Sequence, residues 1–140
     1  PVFLPIEKRL DVAACKRAAV HMKAPHFIIE DTGASDHTIG LFSRMQVVVS
    51  MRLHALVFSA GQGVPLVGVV YDQKISSFLS YIGQDLFTDL KDVTYEKLCA
   101  HIDAAVERIG DTEFLSGGVD RLRQVERRNS EAAEKLLQIL

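Results

Sequence analysis

Two uninterrupted apolar runs, Val47-Val48-Val49 and Pro65-Leu66-Val67-Gly68-Val69-Val70, constrain the fold of this chain more than any other feature. β-Branched residues without polar alternation predict strands covered on both faces, which is the environment of a parallel sheet. Both runs are expected to be central in it. Strand and helix patterns alternate around them. Val2 to Ile6 reads as a first strand, and Glu7 to Lys23 as a helix with Leu10, Ala14, Cys15, Ala18, Ala19 and Met22 inward. His26 to Glu30 is a second strand. Asp36 is placed to cap a short helix through about Arg44. Ser50 is placed to cap the helix that carries Arg52 and His54 and runs to about Gly61.

The same pattern continues to the C-terminus. Asp72 caps a predicted helix from Gln73 to Tyr81 that Gly83 ends, and Leu86-Phe87 makes a fifth strand. Thr94 opens a helix through Ile109, with Leu98, Ile102, Ala105, Val106 and Ile109 inward. After Gly117-Gly118 a last, highly charged helix runs to Leu140, with an apolar stripe of Leu122, Val125, Ala132, Leu136 and Ile139. This order predicts an α/β fold, a Rossmann-like parallel sheet with helices on both faces and right-handed crossovers. Residues 1–115 form the predicted domain and residues 116–140 a C-terminal helix.

Composition narrows the function classes. The chain has 140 residues, 48% of them apolar, enough for one domain with a proper core. A formal net charge of −2 leaves no electrostatic footprint for nucleic acid or an anionic membrane surface. No run approaches the ~18 apolar residues of a membrane span, and no secretory leader is visible. Cys15 and Cys99 lie in helical patterns and are assigned to packing, which fits a reducing, cytoplasmic setting. His21, His26, His37 and His101 lack ligand spacing, so no metal is assigned. The chain opens at Pro1 and enters a strand at once, as an excised piece of a longer protein would. Neither a Gly-x-Gly-x-x-Gly turn after the first strand nor a Gly-x-x-x-x-Gly-Lys-Ser/Thr loop is present.

In an open parallel sheet the strand C-termini share one edge, and ligands bind there. The third strand passes into Ser50-Met51-Arg52-Leu53-His54, and the fourth into Tyr71-Asp72-Gln73-Lys74. Arg52 falls in or just before a first helical turn, where free N–H groups and the dipole favour an anion. Its guanidinium can grip a carboxylate or phosphate in bidentate fashion, and the competing role is an ion pair closing the sheet edge. Lys74 is within reach of the same anion, or else a solvated surface lysine. Tyr71 packs against ligand or closes the core, the second being favoured, and Asp72 is a helix cap rather than a base. Ser50 offers a hydroxyl to the anion, although capping suffices to explain it. Asp31, Thr32 and Gly33 lie on the same edge and could line the cleft, although nothing in the sequence raises them above an ordinary turn.

The Arg52-Leu53-His54 helix start, the Gly63-Val64-Pro65 strand entry and the Tyr71-Asp72-x-Lys74 exit together resemble the C-terminal half of the polysaccharide pyruvyl transferase family. The resemblance covers Ser50 to about Gly83. It implies one lobe of a two-lobed, GT-B-like fold whose last helix docks on an N-terminal lobe that this chain lacks. It implies transfer of the enolpyruvyl group of phosphoenolpyruvate to a sugar of a cell-surface polysaccharide, giving a cyclic pyruvate ketal and phosphate. Arg52 and His54 are then the catalytic residues, and Arg52, Lys74, Ser50 and Tyr71 the substrate-binding ones. His54 would deliver a proton to the enol methylene carbon; its competing role is that of a satisfied core group. Phosphoenolpyruvate is the donor substrate, no cofactor or metal is implied, and the acceptor is a glycan or lipid-linked sugar. That acceptor would keep the protein cytoplasmic, at the inner face of the membrane where it is lipid-linked. A further arginine from the N-terminal lobe is required, so the fragment alone should be inactive. Two alternatives stand beside this: the nucleotide-sugar lobe of a GT-B glycosyltransferase, for which no convincing ribose-gripping acidic residue follows the fourth or fifth strand, and a non-catalytic Rossmann-like binding module.

Overall fold

The computed structural model describes residues 1–137. The elements in order are β1 (Val2–Phe3), α1 (Lys8–Ala19), β2 (Phe27–Ile28), α2 (Ser35–Phe42), β3 (Val48–Ser50), α3 (Leu53–Gly61), β4 (Leu66–Val70), α4 (Gln73–Tyr81), β5 (Phe87–Asp89), a 3₁₀ turn (Leu90–Asp92), α5 (Tyr95–Glu107) and α6 (Thr112–Leu137). Every strand pair is parallel. The fold is thus mixed α/β, with parallel sheets flanked by helices.

The strands form two sheets, β1–β2 and β3–β4–β5, instead of one. Of the two apolar runs only β4 is central. β3 is an edge of its sheet and Val49 is 42% exposed, which corrects the expectation of a central third strand. Pro1 and Phe3 accept the Phe27 and Ile29 N–H groups, so the N–H that Pro5 lacks would face β2; the β1–β2 ladder ends there, and β1 and β3 lie in separate sheets. Side chains make the join instead: Leu4 and Ile6 pack on Phe42, Val48, Ala55 and Val64.

Alternation along β4 sends Leu66 and Val70 into one cluster and Val67 into another. The first cluster contains Leu56 and Ala60 of α3, Ile75 and Leu79 of α4, and Ile82, with Val119 and Leu122 of α6 against it. The second holds Leu86 and Ala105, with Leu98 and Ile102 of α5 against them. Helices therefore cover both faces of the β3–β5 sheet. Each fully buried Leu or Ile contributes about 1.5–3 kcal/mol of transfer free energy. Val106 and Ile109, expected inward, are exposed instead.

Two helices differ from the sequence pattern in instructive ways. α1 is rotated from its expected phase: Leu10 is 65% exposed, Ala14 and Ala18 are exposed, and Asp11, Val12, Cys15 and Ala19 face inward. α6 does not wait for Gly117-Gly118 but runs through them from Thr112. The Asp111 carboxylate accepts the Phe114 N–H at 3.0 Å and so caps the start. Gly118 lies against the backbone of Ile82, where any Cβ would collide, so this glycine permits close helix packing rather than ending the helix. Leu140 and Ile139 lie outside the described residues.

Candidate active site

β3 and β4 release their chains at the same edge, since Ser50 pairs in register with Gly68. The Ser50 hydroxyl accepts the Arg52 N–H at 3.0 Å, a local turn that aims the chain into α3. Ser50 is therefore used two residues before the helix rather than as its cap. Arg52 is the N-cap residue, extended at φ −90°, and no side chain caps the helix. The first-turn N–H groups of α3 are left for a ligand or water. At the end of β4, Asp72 caps α4 by accepting the Lys74 N–H at 2.9 Å. This matches the sequence pattern to the residue.

Between these two helix starts lies a cavity of about 340 Å³ lined by Ile6, Glu7, Arg52, Leu53, His54, Tyr71 and Lys74. Four of the five residues singled out from the sequence, Arg52, His54, Tyr71 and Lys74, thus share one cavity, and Ser50 stands outside it. His54 is exposed rather than packed in the core, and its ring lies tilted 6.3 Å from that of Phe58. The same histidine borders a second cavity of about 270 Å³, with Thr32, Gly33, Ser35 and Thr38. Thr32 and Gly33, read from sequence as an ordinary turn, therefore face His54. Tyr71 is 47% exposed and does not close the core.

Arg52 has a partner that the sequence did not suggest. Its Nε donates to Asp11 Oδ2 at 3.2 Å and its Nη2 to Asp11 Oδ1 at 2.6 Å. Asp11 Oδ2 also accepts the Glu7 N–H at 2.9 Å. Burial pushes the Asp11 carboxyl up, but the bonds from Arg52 and Glu7 outweigh it and hold the group below its ordinary 3.8. In return the guanidinium is held more firmly protonated, chiefly by the Asp11 hydrogen bonds. A carboxylate that binds the Nε edge leaves both Nη1 hydrogens and one on Nη2 unused. The end-on fork of Arg52 thus stays open to a second anion. Lys74 Nζ is 3.4 Å from Asp72 Oδ2 and half-exposed, so its ion pair is loose and solvated.

Chemically the cavity offers two cations and a helix N-terminus for an anion, beside an exposed imidazole able to move a proton. Glu7 is the one acidic residue in its wall. Among the described residues no three His, Cys, Asp or Glu side chains converge as a metal site would need, and no helix is long and apolar enough to cross a membrane.

Comparison with known proteins bears on this arrangement. No curated protein and no solved structure matches the chain. The family profile described as polysaccharide pyruvyl transferase matches residues 1–73, just over half of the chain. The match reaches upstream to β1 and α1, includes Asp11, Arg52, His54 and Tyr71, and stops one residue before Lys74. The chain belongs to the polysaccharide pyruvyl transferase family.

Proposed function

We propose that this chain is the phosphoenolpyruvate-facing part of a pyruvyl transferase that forms a cyclic pyruvate ketal on a glycan or lipid-linked sugar. The observation that carries the reading is the open fork of Arg52, set by Asp11 at the uncapped start of α3 and sharing a cavity with His54 and Lys74. Phosphoenolpyruvate has a carboxylate and a phosphate flanking one reacting carbon. Arg52 and the α3 N-terminus would hold one of them and Lys74 the other, and the same cations would stabilise the departing phosphate. One sugar hydroxyl adds to C2 of the enol while its methylene carbon takes a proton from His54. The proton of that first hydroxyl returns to His54; a second hydroxyl of the same sugar then displaces phosphate from C2, and its proton leaves with the phosphate. The sum is diol plus phosphoenolpyruvate giving ketal plus phosphate.

On this reading the chain works with a second lobe that closes over the edge and completes the cation set. Its site of action would be cytoplasmic, reached from the membrane face when the acceptor is lipid-linked. Titration calorimetry on the full-length protein tests the donor. Phosphoenolpyruvate should bind, and Arg52→Ala should weaken it by about tenfold or more, the usual effect of losing a charge-assisted bidentate pair.

A second reading, the nucleotide-sugar lobe of a glycosyltransferase, gains from one observation. Asp72 and Asp89, at the ends of β4 and β5, line a common cavity and could grip a ribose. Against it, Asp72 already covers the start of α4, where a diphosphate would otherwise bind. Binding of a uridine diphosphate sugar without binding of phosphoenolpyruvate would replace the first reading by the second.

A further inference from the structure

A cavity larger than the one around Arg52 is present among the described residues. It lies between the C-terminal ends of β4 and β5 and measures about 600 Å³, well within the roughly 300–1,000 Å³ of small-molecule sites. Its walls mix two kinds of surface. Tyr71 and Leu90, about half exposed each, present an aromatic ring and an aliphatic side chain to solvent. Asp89, Asp72, Gln73 and Ser76 supply carboxylate, amide and hydroxyl groups. A pyranose has the same two kinds of surface: apolar C–H faces that stack on an aromatic ring, and equatorial hydroxyls that donate to carboxylates and amides.

Charge argues against an anionic occupant. The cavity has two carboxylates against one lysine, Lys91, and the α4 N-terminus beside it is already satisfied by Asp72. Asp72 is committed, one oxygen to the Lys74 N–H and the other to Lys74 Nζ at 3.4 Å. Asp89 is the less engaged carboxylate, with Lys91 Nζ no nearer than 3.9 Å. It stands level with Val70 in the parallel register, one strand across from the point where β4 hands over to Tyr71.

Position connects this cavity to the anion site. Tyr71 borders both, so an occupant of the larger cavity lies one side chain away from Arg52, His54 and Lys74. We propose that the cavity between β4 and β5 is the acceptor subsite, holding a neutral sugar ring on Tyr71 and Leu90 with a hydroxyl accepted by Asp89. This rests on the pyruvyl-transfer reading for the name acceptor, but the sugar site itself can be tested apart from it. It also assigns to this chain, and not to a second lobe alone, part of the choice of acceptor.

The test is saturation-transfer NMR on the full-length protein without phosphoenolpyruvate, using methyl glycosides of galactose, glucose, mannose and N-acetylglucosamine as probes. Phosphoenolpyruvate affinity is measured by calorimetry in parallel. At least one glycoside should bind to the wild type and to Arg52→Ala alike. Asp89→Asn and Gln73→Ala should each weaken it by about threefold to tenfold, as expected when one hydrogen bond is degraded. Both variants should leave phosphoenolpyruvate binding unchanged, which also shows that they fold. A glycoside held equally well by wild type, Asp89→Asn and Gln73→Ala overturns the proposal. So does the absence of any glycoside binding, or displacement of the glycoside by uridine diphosphate. Loss of phosphoenolpyruvate binding in the wild type, with Asp89-dependent glycoside binding retained, overturns the pyruvyl-transfer reading and leaves the sugar site standing.

Discussion

At the scale of single residues, the Asp11–Arg52 pair decides how the candidate site works. A carboxylate beside an arginine proposed to bind substrate is at first sight a competitor for it. Its side-on geometry makes it a support, because it fixes the guanidinium plane and leaves the end-on fork free. Two opposed effects follow from Asp11→Asn: the cavity gains positive charge, and Arg52 loses its fixed orientation. Positioning should win, since a misplaced cation stabilises the transition state less than the ground state. The expected outcome is a fall in kcat of about tenfold with a KM for phosphoenolpyruvate changed by less; a variant faster than wild type would show Asp11 to be only a competitor. His54 should behave differently. His54→Ala and His54→Asn should both bind phosphoenolpyruvate and lose about a hundredfold to ten-thousandfold in turnover, the range for a lost general acid. Stopped assays of phosphate release in parallel with calorimetry measure both quantities, and near wild-type turnover for the asparagine variant would reduce His54 to a positioning role.

At the scale of elements, two adjacent glycines in α6 provide an internal control. Gly117 has nothing within 4 Å of where a Cβ would stand, while at Gly118 a Cβ would strike the backbone of Ile82. Gly117→Ala should therefore stabilise the protein by about 0.5–1 kcal/mol, the ordinary gain from replacing a helical glycine. Gly118→Ala should cost about 1–3 kcal/mol, because backbone cannot move aside as a flexible side chain can. Chemical denaturation midpoints of the two variants should move in opposite directions. The pair of glycines also shows why the sequence was legible only in part. The periodic pattern finds α4 to the residue and α3 and α5 nearly so, since apolar spacing, with caps at Asp72 and Thr94, determines them. It starts α6 only after Gly117-Gly118, because a glycine that fits a close contact looks the same as one that bounds a helix. It rotates α1 because Asp11 faces inward for the sake of Arg52, 41 residues away, and no local period encodes that. That Arg52, His54 and Lys74 would share one cavity was legible, because strand ends of a parallel sheet meet at one edge. Asp11 and Asp89 were not, because each becomes notable only through what faces it across the fold.

At the scale of the whole molecule, two bidentate ion pairs tie the outer helices to the sheet region. Arg52 joins α3 to Asp11 of α1, and Arg108, just after α5, holds both oxygens of Asp85 at 2.6 and 3.1 Å, immediately before β5. The Asp85 carboxyl is held below its usual value chiefly by the Arg108 hydrogen bonds, and Asp11 also titrates below 3.8. A carboxyl whose folded pKa is below its unfolded one adds stability that is complete above the unfolded pKa. That stability is lost as pH falls through the folded value. Both pairs therefore predict a protein whose melting temperature holds steady near neutrality and declines once the pH drops below about 3.8, continuing downward until both carboxyls are protonated. The exposed side of the Asp85 pair makes its share the smaller one, since two-thirds of that aspartate side chain is open to solvent and screening. Differential scanning calorimetry between pH 7 and pH 2.5 should show this decline, and Asp11→Asn should start from a lower melting temperature and lose less of it on acidification. If the variant and the wild type fall in parallel, the Asp11–Arg52 pair contributes nothing to stability, and its geometry would have to be explained by the proposed anion site alone.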